Sequence, residues 1–94
     1  DPEGDLPEAF SLQQNYPNPF NPETVIGYNL PEADHILLEV FNMTGQKVAT
    51  LIDNFQSQGY HTVNLNANNL ASGIYIYRLR SGNFTESKKM VLVK

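Results

Sequence analysis

The chain has 94 residues and contains neither cysteine nor tryptophan. Without cysteine it forms no disulfide bond, and thiol catalysis and cysteine-based zinc sites are excluded. Without tryptophan, a platform for sugar rings would depend on the five tyrosines, most of which alternate like core residues. A chain of this length can fold without disulfides, because it buries roughly two thirds of its unfolded surface in one modest core.

Charged residues are also scarce, at 17% of the chain against a usual value of about 25%. No run approaches the ~18 apolar residues that cross a bilayer, so the sequence predicts no transmembrane segment. The formal net charge of −4 argues against non-specific binding of nucleic acid. The sequence therefore predicts a soluble domain whose partners do not include nucleic acid.

The few charges are unevenly distributed along the chain. Residues 1–39 hold eight of the ten acidic residues and no lysine or arginine. All the basic residues follow position 40: Lys47, Arg78, Arg80, Lys88, Lys89 and Lys94. The basic C-terminal third is either a solvated strand face or a surface that meets an acidic partner.

Proline, glycine and asparagine are abundant, with 6, 6 and 11 copies, which favours short strands joined by turns. Residues 1–9 are acidic and almost free of large apolar side chains, so we interpret them as a linker to an upstream domain. Residues 10–94 then form one folded domain. The region 11–22 contains three prolines and is predicted to be an irregular edge segment.

Within this edge segment, Leu12, Tyr16 and Phe20 are expected to be anchored in the core. Its three asparagines offer oxygen atoms that a hard cation could bind. The segment lacks a carboxylate, so a cation-independent domain is the preferred prediction.

From residue 24 onward, short apolar and alternating runs are separated by turn signals, which predicts strands. The expected strands are 24–30, 35–42, 46–52, 60–66, 73–80 and 84–93. Gly45 and Gly82 are expected to turn two hairpins, and Tyr75, Tyr77 and Leu79 to face the core, since the alternating arginines cannot. Six or seven such strands predict an all-β, immunoglobulin-like antiparallel β-sandwich.

No constellation typical of catalysis is present. His35 and His61 have no metal or triad spacing, and His61 is expected to be a satisfied core or edge histidine. The carboxylates do not form a converging pair, and no nucleophile or phosphate-binding motif occurs. We therefore predict no enzyme activity and no cofactor.

The order of motifs resembles a known family. The blocks LQQNYPNPFNPETVIGYNLPE, LEVFNMTGQKVATLI, GYHTV, LASGIYIYRLRSG and KKMVLVK are similar, in order and spacing, to the type A C-terminal sorting domain of the type IX (Por) secretion system of Bacteroidetes. The resemblance covers residues 11–94. Small departures occur at Phe41, Gln58 and Leu65, where many members carry tyrosine, alanine and tryptophan.

This resemblance implies a β-sandwich that directs an upstream cargo protein through the outer-membrane translocon after periplasmic transit. It implies that a sortase-like protease then removes the domain near its N-terminal boundary. The cargo would be secreted or held at the cell surface, with attachment to anionic lipopolysaccharide as one route. The implied partners are the translocon, the protease and the covalently attached cargo, and we expect the domain to be a monomer.

The resemblance also implies where the signal lies. The matching positions for translocon recognition are Gly73, Tyr75, Lys89, Met90, Val91, Leu92, Val93 and Lys94. The turn motif that contributes to it is Met43, Thr44, Gly45 and Gln46. We expect residues 88–94 to carry the signal, to add comparatively little to the fold, and to offer a strand edge for pairing with a receptor.

An alternative from another class is an immunoglobulin-like accessory module of a secreted enzyme. Such a module would bind carbohydrate or act as a spacer. The absence of tryptophan weakens the carbohydrate-binding version of this alternative without excluding it.

Overall fold

The structure is a computed structural model that describes residues 9–94. Within that range it consists of seven β-strands and no helix. In chain order they are β1 (Ser11–Leu12), β2 (Glu23–Leu30), β3 (Asp34–Phe41), β4 (Lys47–Gln56), β5 (Gly59–Asn66), β6 (Gly73–Ser81) and β7 (Phe84–Leu92). The predicted linker, residues 1–9, lies outside the described residues except for its last position.

The strands form two antiparallel sheets, one with the order β1-β2-β5 and one with the order β4-β3-β6-β7. This arrangement confirms the predicted all-β fold, and it is consistent with an immunoglobulin-like sandwich. No helix among residues 9–94 has the length and apolar character that crossing a membrane requires.

The core lies between the two sheets because apolar side chains alternate along the strands. Ile36, Leu38 and Val40 of β3 are fully buried, and Tyr77 and Leu79 of β6 meet them from the neighbouring strand. The predicted inward face of β6 is therefore confirmed. Burying one large apolar side chain contributes about 1.5–3 kcal/mol, so these alternating positions fix which face of each strand is inward.

The hairpin between β3 and β4 is longer than the sequence indicated. The return strand was expected to end at residue 52, but β4 continues to Gln56, which pairs with Asp34 at the start of β3. Asp53 and Asn54, which follow the apolar part of this strand, have little strand propensity of their own. Pairing with β3 keeps residues 53–56 extended. A hydrogen bond from His35 Nε2 to Asp53 Oδ1 at 2.7 Å stabilises this pairing.

Residues 13–22 of the edge segment cross from one sheet to the other, and we call them the crossing segment. Its Tyr16 pairs with Val25 of β2, and its Phe20 pairs in parallel with Leu92 of β7. Leu12 and Phe20 are buried, as predicted, but the expectation for Tyr16 is wrong, since its side chain is 81% exposed. The buried neighbour is Asn15, because this part of the chain turns its amide toward the core.

Tyr77 fixes the start of this crossing segment. Its hydroxyl accepts a hydrogen bond from the Asn15 backbone N–H at 2.8 Å and donates one to the Gln13 carbonyl at 2.6 Å. Burial raises the pKa of Tyr77 to about 12, so the phenol stays protonated and keeps its donor at neutral pH. One core tyrosine thereby satisfies two backbone groups that would otherwise be left without partners.

Two of the three asparagine side-chain oxygens considered for a cation accept hydrogen bonds inside the segment or at its contacts. Asn15 Oδ1 accepts a hydrogen bond from Gln14, and Asn18 Oδ1 accepts one from the Val91 N–H at 2.9 Å. Asn15 Nδ2 also donates to Thr24 Oγ1 at 3.0 Å. These oxygens therefore serve to order the segment against β2 and β7.

Candidate functional site

Strand pairing brings three separated sequence blocks to one end of the four-stranded sheet. The turn 43–46 follows β3, Gly73 opens β6, and residues 91–94 close β7. Phe41 lies opposite Ile76, and Ile74 lies opposite Val91. Because neighbouring strands run antiparallel, the end of β3, the start of β6 and the end of β7 coincide. We call this region the turn end; it comprises residues 41–46, 73–76 and 89–94.

Three of the predicted recognition residues at the turn end face the core. Tyr75, Met90 and Leu92 are 7%, 0% and 1% exposed, and the Tyr75 hydroxyl donates to the Ala71 carbonyl at 2.6 Å. The expectation that residues 88–94 add little to the fold is therefore wrong, because β7 supplies two of the fully buried side chains. The side chains of these three residues therefore pack in the core of the domain.

The alternating residues of the same strands face outward. Ile74 and Val93 are 39% and 51% exposed, and Ile76 and Val91 are half-buried. With Phe41 of the neighbouring β3 they form an apolar area on the side away from β1-β2-β5, which we call the outer patch. Ile74 and Ile76 were not among the predicted site residues, although their alternation with Tyr75 and Tyr77 was the signal that identifies them.

The turn 43–46 is organised by a residue that the sequence motif did not include. Asn42 Oδ1 accepts hydrogen bonds from Thr44 N–H at 3.1 Å, Thr44 Oγ1 at 2.8 Å and Gln46 N–H at 3.0 Å. Gly45 has a φ of 88°, a region that side chains disfavour. The turn thereby presents Met43, which is 62% exposed.

Gly73 and Lys94 have backbone roles at the turn end. Gly73 has a φ of 155°, and a Cβ there would meet nothing within 4 Å, so conformation and not space favours glycine. The Lys94 N–H donates to Ser72 Oγ at 2.9 Å, and its Nζ donates to the Asn68 carbonyl. Lys94 is thus tied to the loop before β6, contrary to the expectation that it has little to contact.

The outer edge of β7 at the turn end is covered by the chain itself. The Phe20 N–H donates to the Val91 carbonyl at 2.9 Å, and the Val93 N–H donates to the Phe20 carbonyl at 3.0 Å. The Asn18 side chain occupies the Val91 N–H. The predicted free edge for pairing with a receptor strand is therefore wrong at residues 91–93, because the crossing segment already fills it.

Glu39 carries a small charge network beside the outer patch. It is 6% exposed and accepts hydrogen bonds from Lys47 Nζ at 3.3 Å and Arg78 Nη2 at 3.1 Å. The Arg78 guanidinium also lies 4.7 Å from the centre of the Phe41 ring. Burial by itself raises the pKa of Glu39, but the hydrogen bonds and charges of Arg78 and Lys47 outweigh it, so this pKa lies below its usual value.

This lowered pKa predicts acid sensitivity of the fold. The ionised carboxylate stabilises the folded state above the ordinary glutamate pKa of about 4.3, and this contribution is lost as the pH falls through the lowered value. We expect Glu39→Gln to melt below the wild type near pH 7, and the gap between the two melting temperatures to narrow as the pH falls below the ordinary glutamate pKa of about 4.3. A gap of constant size across this range would mean that the charge of Glu39 does not stabilise the fold.

The histidines form separate local contacts. His61 is half-buried, stacks on Tyr28 with ring centres 5.5 Å apart, and donates from Nε2 to the Ser57 carbonyl at 2.8 Å. His35 contacts Asp53 at the opposite end of the sheet from the turn end. Among residues 9–94, no three side chains of the metal-binding types are grouped to hold an ion.

The exposed tyrosines that a carbohydrate-binding module would use lie on the outer face of the sheet β1-β2-β5. Tyr16 and Tyr60 are 81% and 55% exposed there. The Tyr60 hydroxyl donates to Gln13 Oε1 at 3.1 Å and lies over Gly27, where a Cβ would collide with it. This glycine in a strand interior is thus explained by the tyrosine that crosses it.

A comparison with known families gives a match along most of the chain. The family described as the secretion system C-terminal sorting domain matches residues 14–94. The matched region contains β2 to β7, the crossing segment from residue 14 onward and the whole turn end. No curated protein matches the chain.

Proposed function

The chain belongs to the family of secretion system C-terminal sorting domains, and on this basis we propose that it directs an upstream cargo protein through the type IX outer-membrane translocon. A sortase-like protease then cleaves near the start of the domain. The cargo is released or held at the cell surface. The domain itself acts as a monomeric sorting signal and catalyses no reaction.

The observation that carries this proposal is the convergence of the predicted signal blocks at the turn end. The turn motif 43–46 and residues 73–75 and 89–94 are far apart in sequence but share one end of one sheet. A receptor that binds the turn end would recognise a surface that exists only in the folded domain. Folding and recognition would then be coupled, because Met90 and Leu92 hold in place the residues that alternate with them.

The experiment fuses the full chain to a periplasmic reporter in a type IX-competent host and measures its delivery to the cell surface. We expect delivery with the domain and periplasmic retention without it. The variant Lys89→Ala with Lys94→Ala should reduce delivery, while its melting temperature should stay near that of the wild type, since surface substitutions change stability by under ~0.5 kcal/mol.

Two results would count against this assignment. Equal delivery of the reporter with and without the domain would overturn the sorting function. Wild-type delivery of the double variant would remove both lysines from the signal and leave the sorting function in place. The variant Thr62→Ala, on an exposed position of the other sheet, serves as the control for substitution in general.

A further inference from the structure

The outer patch has cations on three sides. Lys47, Phe41, Ile76 and Lys89 lie side by side on four neighbouring strands, because Phe41 pairs with Lys47 and Ile76, and Ile76 pairs with Lys89. Strands are about 4.8 Å apart, so the two lysines flank the apolar pair across about 14 Å. Arg78 borders the patch along β6, two residues beyond Ile76.

The acid in this neighbourhood does not cancel these charges. Glu39 is 6% exposed and contacts both Lys47 and Arg78, so one buried negative charge stands among three cations. Lys89 is exposed and forms no ion pair with any of residues 9–94. The local charge is therefore positive, in a chain whose net charge is −4.

All the strand cations lie in one of the two sheets. The sheet β1-β2-β5 contains no lysine or arginine, and its strands carry one acid, Glu23. The sheet β4-β3-β6-β7 carries five cations and four acids, so its formal charge is slightly positive; the cations are Lys47, Arg78, Arg80, Lys88 and Lys89, and the acids are Asp34, Glu39, Asp53 and Glu86. An exposed apolar area with a polar, charged border is typical of a protein interaction site.

We propose that the outer patch docks on a protein surface that is apolar at its centre and bordered by carboxylates. This inference rests on the proposed function: the protein that bears this surface is a component of the type IX translocon. Ile74, Ile76 and Val91 lose water in the contact, and Lys47 and Lys89 lie opposite the carboxylates. Because the outer edge of β7 is already filled at residues 91–93, docking takes place on the face of the sheet and not by addition of a strand.

Charge complementarity favours a protein over an anionic membrane. A chain with a net charge of −4 is repelled as a whole by anionic lipid, whereas a protein can place carboxylates only where the patch is positive. Complementary charges at the border of an interface mainly accelerate association, and salt weakens this effect. Binding should therefore depend on ionic strength even though the centre of the contact is apolar.

The test measures binding of the purified full chain to the detergent-purified type IX translocon by interferometry. We expect Lys47→Gln with Lys89→Gln to weaken binding about tenfold at ~50 mM salt, and this difference to shrink at ~300 mM salt. The matched control is Thr62→Glu with Asn64→Glu, on exposed positions of β5. Both double variants change the formal net charge from −4 to −6.

A second variant tests the apolar centre. Ile74→Thr with Val91→Thr keeps the β-branched shape of each side chain and makes the outer patch more polar. We expect it to weaken binding at both salt concentrations, because loss of apolar contact is not screened. Melting temperatures of all variants establish that each is folded at the temperature of the binding measurement.

The outcomes separate this inference from the proposed function. If the wild-type domain does not bind the translocon, the proposed function fails and this inference fails with it. If the wild type binds and the lysine variant binds equally well, or the β5 control weakens binding as much, the docking surface is wrong and the sorting function stands. Lysine-dependent binding to vesicles of phosphatidylcholine and phosphatidylglycerol, without binding to the translocon, would assign the patch to a membrane and overturn the inference.

Discussion

Replacing Phe20 with alanine is expected to lower the free energy of unfolding by about 3–5 kcal/mol. Phe20 is 2% exposed and belongs to the core cluster, so truncation removes buried apolar surface and leaves a cavity. Its backbone also holds the end of β7 through the Val91 carbonyl and the Val93 N–H. A domain of this length has a total stability of about 5–14 kcal/mol, so the loss is a large fraction of it. Urea denaturation at constant pH measures it.

Tyr16 supplies the matched control from the same segment. Its side chain is 81% exposed, and only its backbone pairs with Val25. Tyr16→Ala should therefore change the free energy of unfolding by no more than about 0.5 kcal/mol. Equal effects of the two substitutions would mean that Phe20 does not anchor the crossing segment.

Met90→Ala is expected to cost about 2–5 kcal/mol of stability, with loss of export as a consequence. Met90 is fully buried and lies opposite Tyr75 in the pairing of β6 with β7. We therefore expect the Met90 side chain to act through packing of the core and not through contact with a partner. Thermal or urea denaturation of the purified domain gives the stability, and the reporter fusion gives the export.

Met90→Leu separates packing from recognition. Leucine has nearly the volume of methionine, and such exchanges usually cost under ~1.5 kcal/mol. We expect this variant to restore both the stability and the export. A stable Met90→Leu domain that is not exported would show that the translocon contacts the methionine side chain itself.

Much of the fold can be predicted from local patterns in the sequence. Alternation in β3 and β6 identifies Ile36, Leu38, Tyr77 and Leu79 as inward-facing. Gly45 indicates one hairpin turn, because few residues other than glycine adopt a positive φ. These features depend on neighbours in the chain, so composition and period are sufficient to predict them.

The errors occur where distant parts of the chain meet. The exposure of Tyr16 follows from the contact of the preceding Asn15 with Tyr77, which lies 62 positions away. The extension of β4 to Gln56 depends on pairing with Asp34. Neither contact can be recognised from the local sequence. Polar residues in a proline-rich segment, or directly after a strand, are also typical of ordinary loops.

The candidate site was predictable in part. The resemblance named the blocks at the turn end, but it did not separate Tyr75 and Met90, which face the core, from Lys89 and Val91, which face solvent. Alternation in β6 already placed Tyr75 on the inward face, whereas the alternation of Met90 with Val91 in β7 left open which of these two faces the core. The covered edge of β7 could not be foreseen, because it requires knowing that Phe20 reaches the opposite sheet.

The parallel contact between Phe20 and Leu92 has a mechanical consequence. A pull between residue 9 and residue 94 draws these two chain segments in opposite directions along their length. The hydrogen bonds at Val91 and Val93 then carry the load together in shear, whereas a hairpin peeled from its end breaks its bonds one after another. Resistance to force is governed by the rate of unfolding. The domain is therefore expected to withstand traction from an attached cargo better than its equilibrium stability alone would indicate.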